Sequence, residues 1–163
     1  MSKDFAKLKP DEVVQLAIAV EKANARRFET FAEMFESYDP AVSQIFRELL
    51  EEERMHRALL ERKYEEKFGR LTIGVEEDEV KEVIEAVDLA HAEHFVFDDM
   101  TPLDALQVAL KAENAARAFY SQLAATTADP DLKRVYDELS EFEADHIWFL
   151  EERIGNLARE QTP

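Results

Sequence analysis

Two Glu-x-x-His segments, Glu53-Arg54-Met55-His56 and Glu143-Ala144-Asp145-His146, carry residue types that bind metal ions. On a helix, residues three apart share a face, so each Glu projects beside its His. Both pairs fall on otherwise apolar stripes, where a lone carboxylate is strongly disfavoured unless something compensates it. Glu21 and Glu113 interrupt two further apolar stripes in the same way. A single such motif in a Glu-rich helix is ordinarily a solvated face. Two motifs and two inward acids together are four carboxylates and two imidazoles, and two divalent cations balance the four negative charges. Oxygen and imidazole donors suit iron or manganese, and zinc accepts the same set. Carboxylates that bridge two metals hold them close enough to act on one bound oxygen species.

The elements that must position these residues are long helices. Only 3 Gly and 5 Pro punctuate the 163 residues, so breakers are scarce. The spacing of apolar residues predicts helices over about 10–36, 40–67, 102–127 and 130–157. The first turns Val14, Ala17, Ile18, Ala25, Phe28, Phe31 and Phe35 to one face, with Glu21 in the middle. The second aligns Phe46, Leu49, Leu50, Leu60 and Tyr64 with Glu53 and His56. The third carries Leu106, Ala109, Leu110, Ala116, Tyr120 and Leu123 around Glu113. The fourth carries Val135, Leu139, Leu150 and Ile154 around Glu143 and His146. Asp39-Pro40, Thr101-Pro102 and Asp129-Pro130 read as a capping residue followed by proline at the first helical position.

These helices form two copies of one unit. Pro40 stands 13 residues before Glu53, and Pro130 stands 13 before Glu143. Phe28 follows Glu21 by seven, and Tyr120 follows Glu113 by seven. One amphipathic hairpin cannot cover its own apolar face, but two can cover each other. The expected architecture is an all-α antiparallel four-helix bundle, a single domain over 1–163, made of two hairpins. The link over about 70–101 is too long for a turn. It fits a crossover, and Val80, Val83, Ile84 and Val87 suggest a short extra helix within it.

Composition excludes several function classes. The chain has no Cys, so thiolate metal sites, iron–sulfur clusters and disulfides are out. A formal net charge of −17 repels nucleic acid and anionic membranes and attracts cations, so no nucleic-acid or membrane partner is expected. The same charge also describes a merely solubilising surface. No uncharged run approaches a membrane span and Met1-Ser2-Lys3-Asp4 has no apolar signal core, so a cytoplasmic location is the expectation.

The residues just described resemble the ferritin-like superfamily, and within it most closely the rubrerythrin branch. Glu21, Glu53-Arg54-Met55-His56, Glu113-Asn114 with Tyr120, and Glu143-Ala144-Asp145-His146 carry the resemblance, which covers nearly the whole chain. It implies a ferritin-like bundle with two Fe ions as cofactor. Glu53 and Glu143 would bridge the metals, Glu21 with His56 would complete one coordination sphere, and Glu113 with His146 the other. Two departures shape the expected activity. Rubrerythrins carry another Glu one turn after the third-helix ligand, where this chain has Ala116. Full-length members append a Cys-ligated rubredoxin domain, for which this chain has no Cys. Both departures favour a six-ligand site of the bacterioferritin kind. The expected function is oxidation of Fe(II), reduction of O2 or hydrogen peroxide, or both, with any further electrons coming from an external donor. Iron storage in a homo-oligomer is the alternative, and a homodimer or larger assembly is expected in either case.

Several further residues admit two readings. Asn24, one turn from Glu21, is placed to hydrogen-bond a ligand carboxylate. Tyr120 is either a partner of a ligand or an inward aromatic whose hydroxyl finds another acceptor. Arg117 lies one turn beyond Glu113 and either joins the site or reaches solvent. Trp148 lies off the ligand stripe and serves an interface or the core. Asp88, His91 and His94 share a helical face in the crossover. The simpler reading pairs the imidazoles with nearby acids such as Glu93, and the alternative is an extra metal or a route for iron.

Overall fold

The computed structural model describes residues 7–71 and 100–160. These form α1 (Pro10–Phe35), α2 (Pro40–Phe68), α3 (Pro102–Thr126) and α4 (Pro130–Glu160). Each helix begins with proline, whose fixed φ suits the first turn and whose missing N–H would have no partner there. Asp39 Oδ1 accepts from the Val42 N–H at 3.2 Å at the start of α2. Thr101 and Asp104 exchange two bonds of 3.1 Å, a complete capping box on α3. Asp129 Oδ1 accepts from the Asp131 and Leu132 N–H groups on α4. Gly69 stops α2 with φ of 88°, where a side chain would be strained.

The described residues make an all-α four-helix bundle of two hairpins, α1 on α2 and α3 on α4. The close backbone approaches lie within each hairpin, while the hairpins meet one another mainly through side chains. Within the first hairpin, the Ser43 hydroxyl donates to the Ala32 carbonyl at 2.6 Å in a buried position.

Each helix contributes to two apolar clusters and to a polar layer between them. One cluster joins Val14 to Val20, Leu60 and Tyr64, Ala116 to Ala124, and Leu132 to Leu139. The other joins Phe28 to Phe35, Val42 to Leu50, Ala105 to Ala109, and Leu150. The start of α1 therefore lies beside the ends of α2 and α3 and the start of α4. α2 and α3 run in the same direction, which a tight turn cannot connect. The expected crossover helix, with Asp88, His91 and His94, falls on residues 72–99 and lies outside the described residues. No helix among the described residues is long and apolar enough to cross a membrane.

Candidate metal centre

The polar layer consists of Glu21, Asn24, Glu53, His56, Glu113, Glu143 and His146, all buried. The four glutamates are 0% exposed, a burial that isolated carboxylates do not tolerate. Each rides on a helix whose apolar residues above and below anchor it, so its inward direction follows from the stripe it interrupts.

The six candidate ligands converge. His56 Nδ1 lies 3.4 Å from Glu143, 3.8 Å from Glu21 and 4.0 Å from Glu53. His146 Nδ1 lies 3.4 Å from Glu113, 3.5 Å from Glu53 and 3.7 Å from Glu143. The two imidazoles stack with centroids 5.4 Å apart. One donor atom from each of Glu21, Glu53, His56 and Glu143 falls within 4.8 Å of the others, and so does one from each of Glu53, Glu113, Glu143 and His146. Glu53 and Glu143 belong to both sets, which is the arrangement that two ions sharing bridging carboxylates require.

The unsatisfied atoms point the same way. Glu21 Oε2, both oxygens of Glu53, Glu113 and Glu143, and both histidine Nδ1 atoms are buried without a hydrogen-bond partner. Buried polar atoms are ordinarily paired, and this many orphans facing one another is the mark of a ligand set. Hard oxygen and imidazole nitrogen donors in this ratio fit a pair of divalent cations.

Electrostatics at the centre reflect the crowding. Burial, together with the Glu21 and Glu143 charges, pushes Glu53 well above the usual carboxylate range. Burial raises Glu21 too, but its contacts with Glu53, His56 and Tyr120 outweigh burial and leave it lowered. Burial opposes the charge on His56, yet Glu143 and Glu21 prevail and raise it to about 9. His146 is likewise raised, Glu143 and Glu52 overcoming burial.

The structure decides between several of the alternatives. The Tyr120 hydroxyl donates to Glu21 Oε1 at 2.5 Å, so Tyr120 serves a carboxylate of the opposite hairpin rather than one on its own helix. Asn24 is buried, and its side-chain oxygen accepts from Arg27 at 3.0 Å. Arg117 is exposed, and Trp148 at 65% exposure is not a core residue. Ala116 is buried in one of the apolar clusters. Glu52 is a residue that the spacing did not indicate. It lies on the outer side of α2, yet its carboxylate meets His146 Nε2. The only signal in the sequence is its place beside Glu53, since the contact is made across hairpins. Nor does the spacing indicate Phe142, whose ring stacks on His56 at 5.1 Å and 14°.

Comparison with known proteins agrees with this geometry. The sequence model of the family described as Rubrerythrin matches residues 12–94, just over half of the chain. No curated protein matches the sequence. An uncharacterized conserved protein from Magnetospirillum magnetotacticum has a similar structure, with a TM-score of 0.74 at 24% identity over 96% of this chain and 97% of that one. A hypothetical protein from Pyrococcus furiosus gives a TM-score of 0.70 at 19% identity over 98% of this chain and 97% of that one. At these identities the two structures speak for the fold alone.

Proposed function

Because the chain belongs to the rubrerythrin family, we propose that its buried carboxylate–histidine layer is a di-iron centre, and that the protein oxidises Fe(II) with O2 or hydrogen peroxide as acceptor. The observation that carries this reading is the set of buried, unpartnered carboxylate oxygens and Nδ1 atoms shared between two overlapping four-residue groups. Glu21 and His56 would hold one ion, Glu113 and His146 the other, and Glu53 and Glu143 both. Two ferrous ions, when bound, supply electrons to dioxygen or peroxide. The chain's own residues do the rest. The apolar clusters on either side of the layer limit water at the centre, which strengthens every electrostatic contact inside. Glu53 and His56 give up protons as cations enter. Tyr120 holds the Glu21 carboxylate in one orientation.

This reading includes a single-domain protein in the cytoplasm that assembles at least as a homodimer and draws on an external electron donor for repeated turnover. The acidic surface supports cation capture and disfavours nucleic acid as a partner. The test is anaerobic titration of the metal-free protein with ferrous iron, followed separately by O2 and by peroxide, with near-ultraviolet absorption and iron release recorded. Saturation near two irons per chain with fast oxidation is expected. Failure to bind iron, with no change in Glu53→Ala or Glu143→Ala, refutes the reading. Uptake of many irons per chain assigns the protein to storage instead.

A further inference from the structure

The hairpins repeat, but the residues touching the six candidate ligands do not repeat with them. The Tyr120 hydroxyl occupies Glu21 Oε1. At the matching place seven residues after Glu21 stands Phe28, which has no hydroxyl to offer, and both Glu113 oxygens lack a hydrogen-bond partner. Glu52 meets His146 Nε2. The matching position, one residue before Glu143, is Phe142, whose ring covers His56. The break continues outward: Phe28 stacks on Phe46 at 6.2 Å, whereas the corresponding pair in the second hairpin is Tyr120 on Tyr136 at 6.5 Å.

These differences act on the donors in one direction. Glu21 has one oxygen committed to the tyrosine and one free, while Glu113 has two free. A carboxylate at Nε2 fixes the His146 tautomer, aims Nδ1 at the glutamates and strengthens it as a donor. On His56 the residue at the matching position, Phe142, instead stacks against the face of the ring, which supplies packing without charge. The Glu113–His146 half is therefore the better donor set in both its carboxylate and its imidazole.

Building on the metal-centre reading, we propose that the two metal positions are inequivalent. The Glu113–His146 position fills first and binds more tightly, and the Glu21–His56 position fills second and exchanges more readily. Glu52 and Tyr120 are the positioning residues that set this order. Neither needs to touch a metal. Glu52 acts through the His146 ring, and Tyr120 acts by withholding one Glu21 oxygen.

Zinc, which is redox-inert, tests this without turnover. Calorimetric titration of the metal-free protein with zinc, against a competing chelator, is expected to resolve two steps of unequal affinity. Glu52→Ala weakens the first step by roughly 10- to 100-fold, the usual effect of removing a carboxylate behind a ligating imidazole, and leaves the second step in place. Glu52→Gln retains an acceptor for Nε2 without the charge and falls between the two. Tyr120→Phe tightens the second step, and the double variant brings the steps together. Cobalt(II) absorption gives a second readout: two successive spectra in the parent protein, one merged spectrum in the double variant. The Glu52 side chain is 54% exposed, so its replacement does not open the core. Two equal steps in the parent protein, or an unchanged first step in Glu52→Ala, overturns the inequivalence and leaves the metal centre standing. Absence of stoichiometric zinc binding overturns both.

Discussion

Glu53 and Glu143 each lie within 4.0 Å of both histidines, which makes them the joint between two half-sites. In the metal-free protein that joint is crowded with charge, and replacing one charge should relieve it. Glu53→Gln is expected to leave the melting temperature of the metal-free protein unchanged or higher, because burial beside Glu21 and Glu143 disfavours the charged form of the native side chain. The same variant should lose the stabilisation that zinc is expected to give the parent protein. That stabilisation is about 2.7 kcal/mol at a zinc concentration 100-fold above Kd, or roughly 5–10 °C for a chain of this size. Thermal melts with and without zinc check both halves. The pH dependence has a definite sign. The folded-state value of His56, about 9, exceeds its ordinary 6.5. Its contribution to the metal-free protein is fully present below 6.5 and is lost as pH rises through 9. Glu53, raised as well, acts in the same direction. Melts of the metal-free protein should therefore fall between pH 6.5 and 9, while zinc affinity rises over that window because protons compete with the cation. The convergence of the six polar residues was legible in the sequence, since each breaks an apolar stripe at helical spacing. Glu52, and the partner chosen by Tyr120, were not, because those contacts join different hairpins and no periodicity within one helix encodes them.

At the scale of the helices, the boundaries follow local chemistry. Proline opens all four, and a side-chain oxygen caps the N-terminus at Asp39, Thr101 and Asp129. Lys9 before α1 makes no such side-chain bond, so proline alone marks that start. Asp39→Ala removes the bond to the Val42 N–H and should cost about 1 kcal/mol. A fall in melting temperature of roughly 2–4 °C with unchanged zinc stoichiometry is the expected result. The prolines made the four helices and the two-hairpin grouping readable. Which cluster each half-helix would join was less so. Phe28 and Val14 look alike as apolar positions, and only the packed bundle assigns them to opposite sides of the charged layer.

For the whole molecule, net charge and the layered core act at different ranges. A formal charge of −17 draws cations toward the protein at low ionic strength, and salt screens that field. The rate of cobalt(II) uptake should fall by roughly tenfold or more from low to high salt. The amplitude at saturation should change far less, because the buried ligands are screened less than the surface. Stopped-flow absorption separates the two. The charged layer also fixes how the helices align. Sliding any one of them by a single turn, about 5.4 Å, would carry a glutamate out of the layer and into an apolar cluster. A bundle greasy along its whole length tolerates such slips and settles into several alignments. Here each misalignment strands a carboxylate in hydrocarbon, so the layer that burdens the metal-free fold also leaves it one register in which to pack.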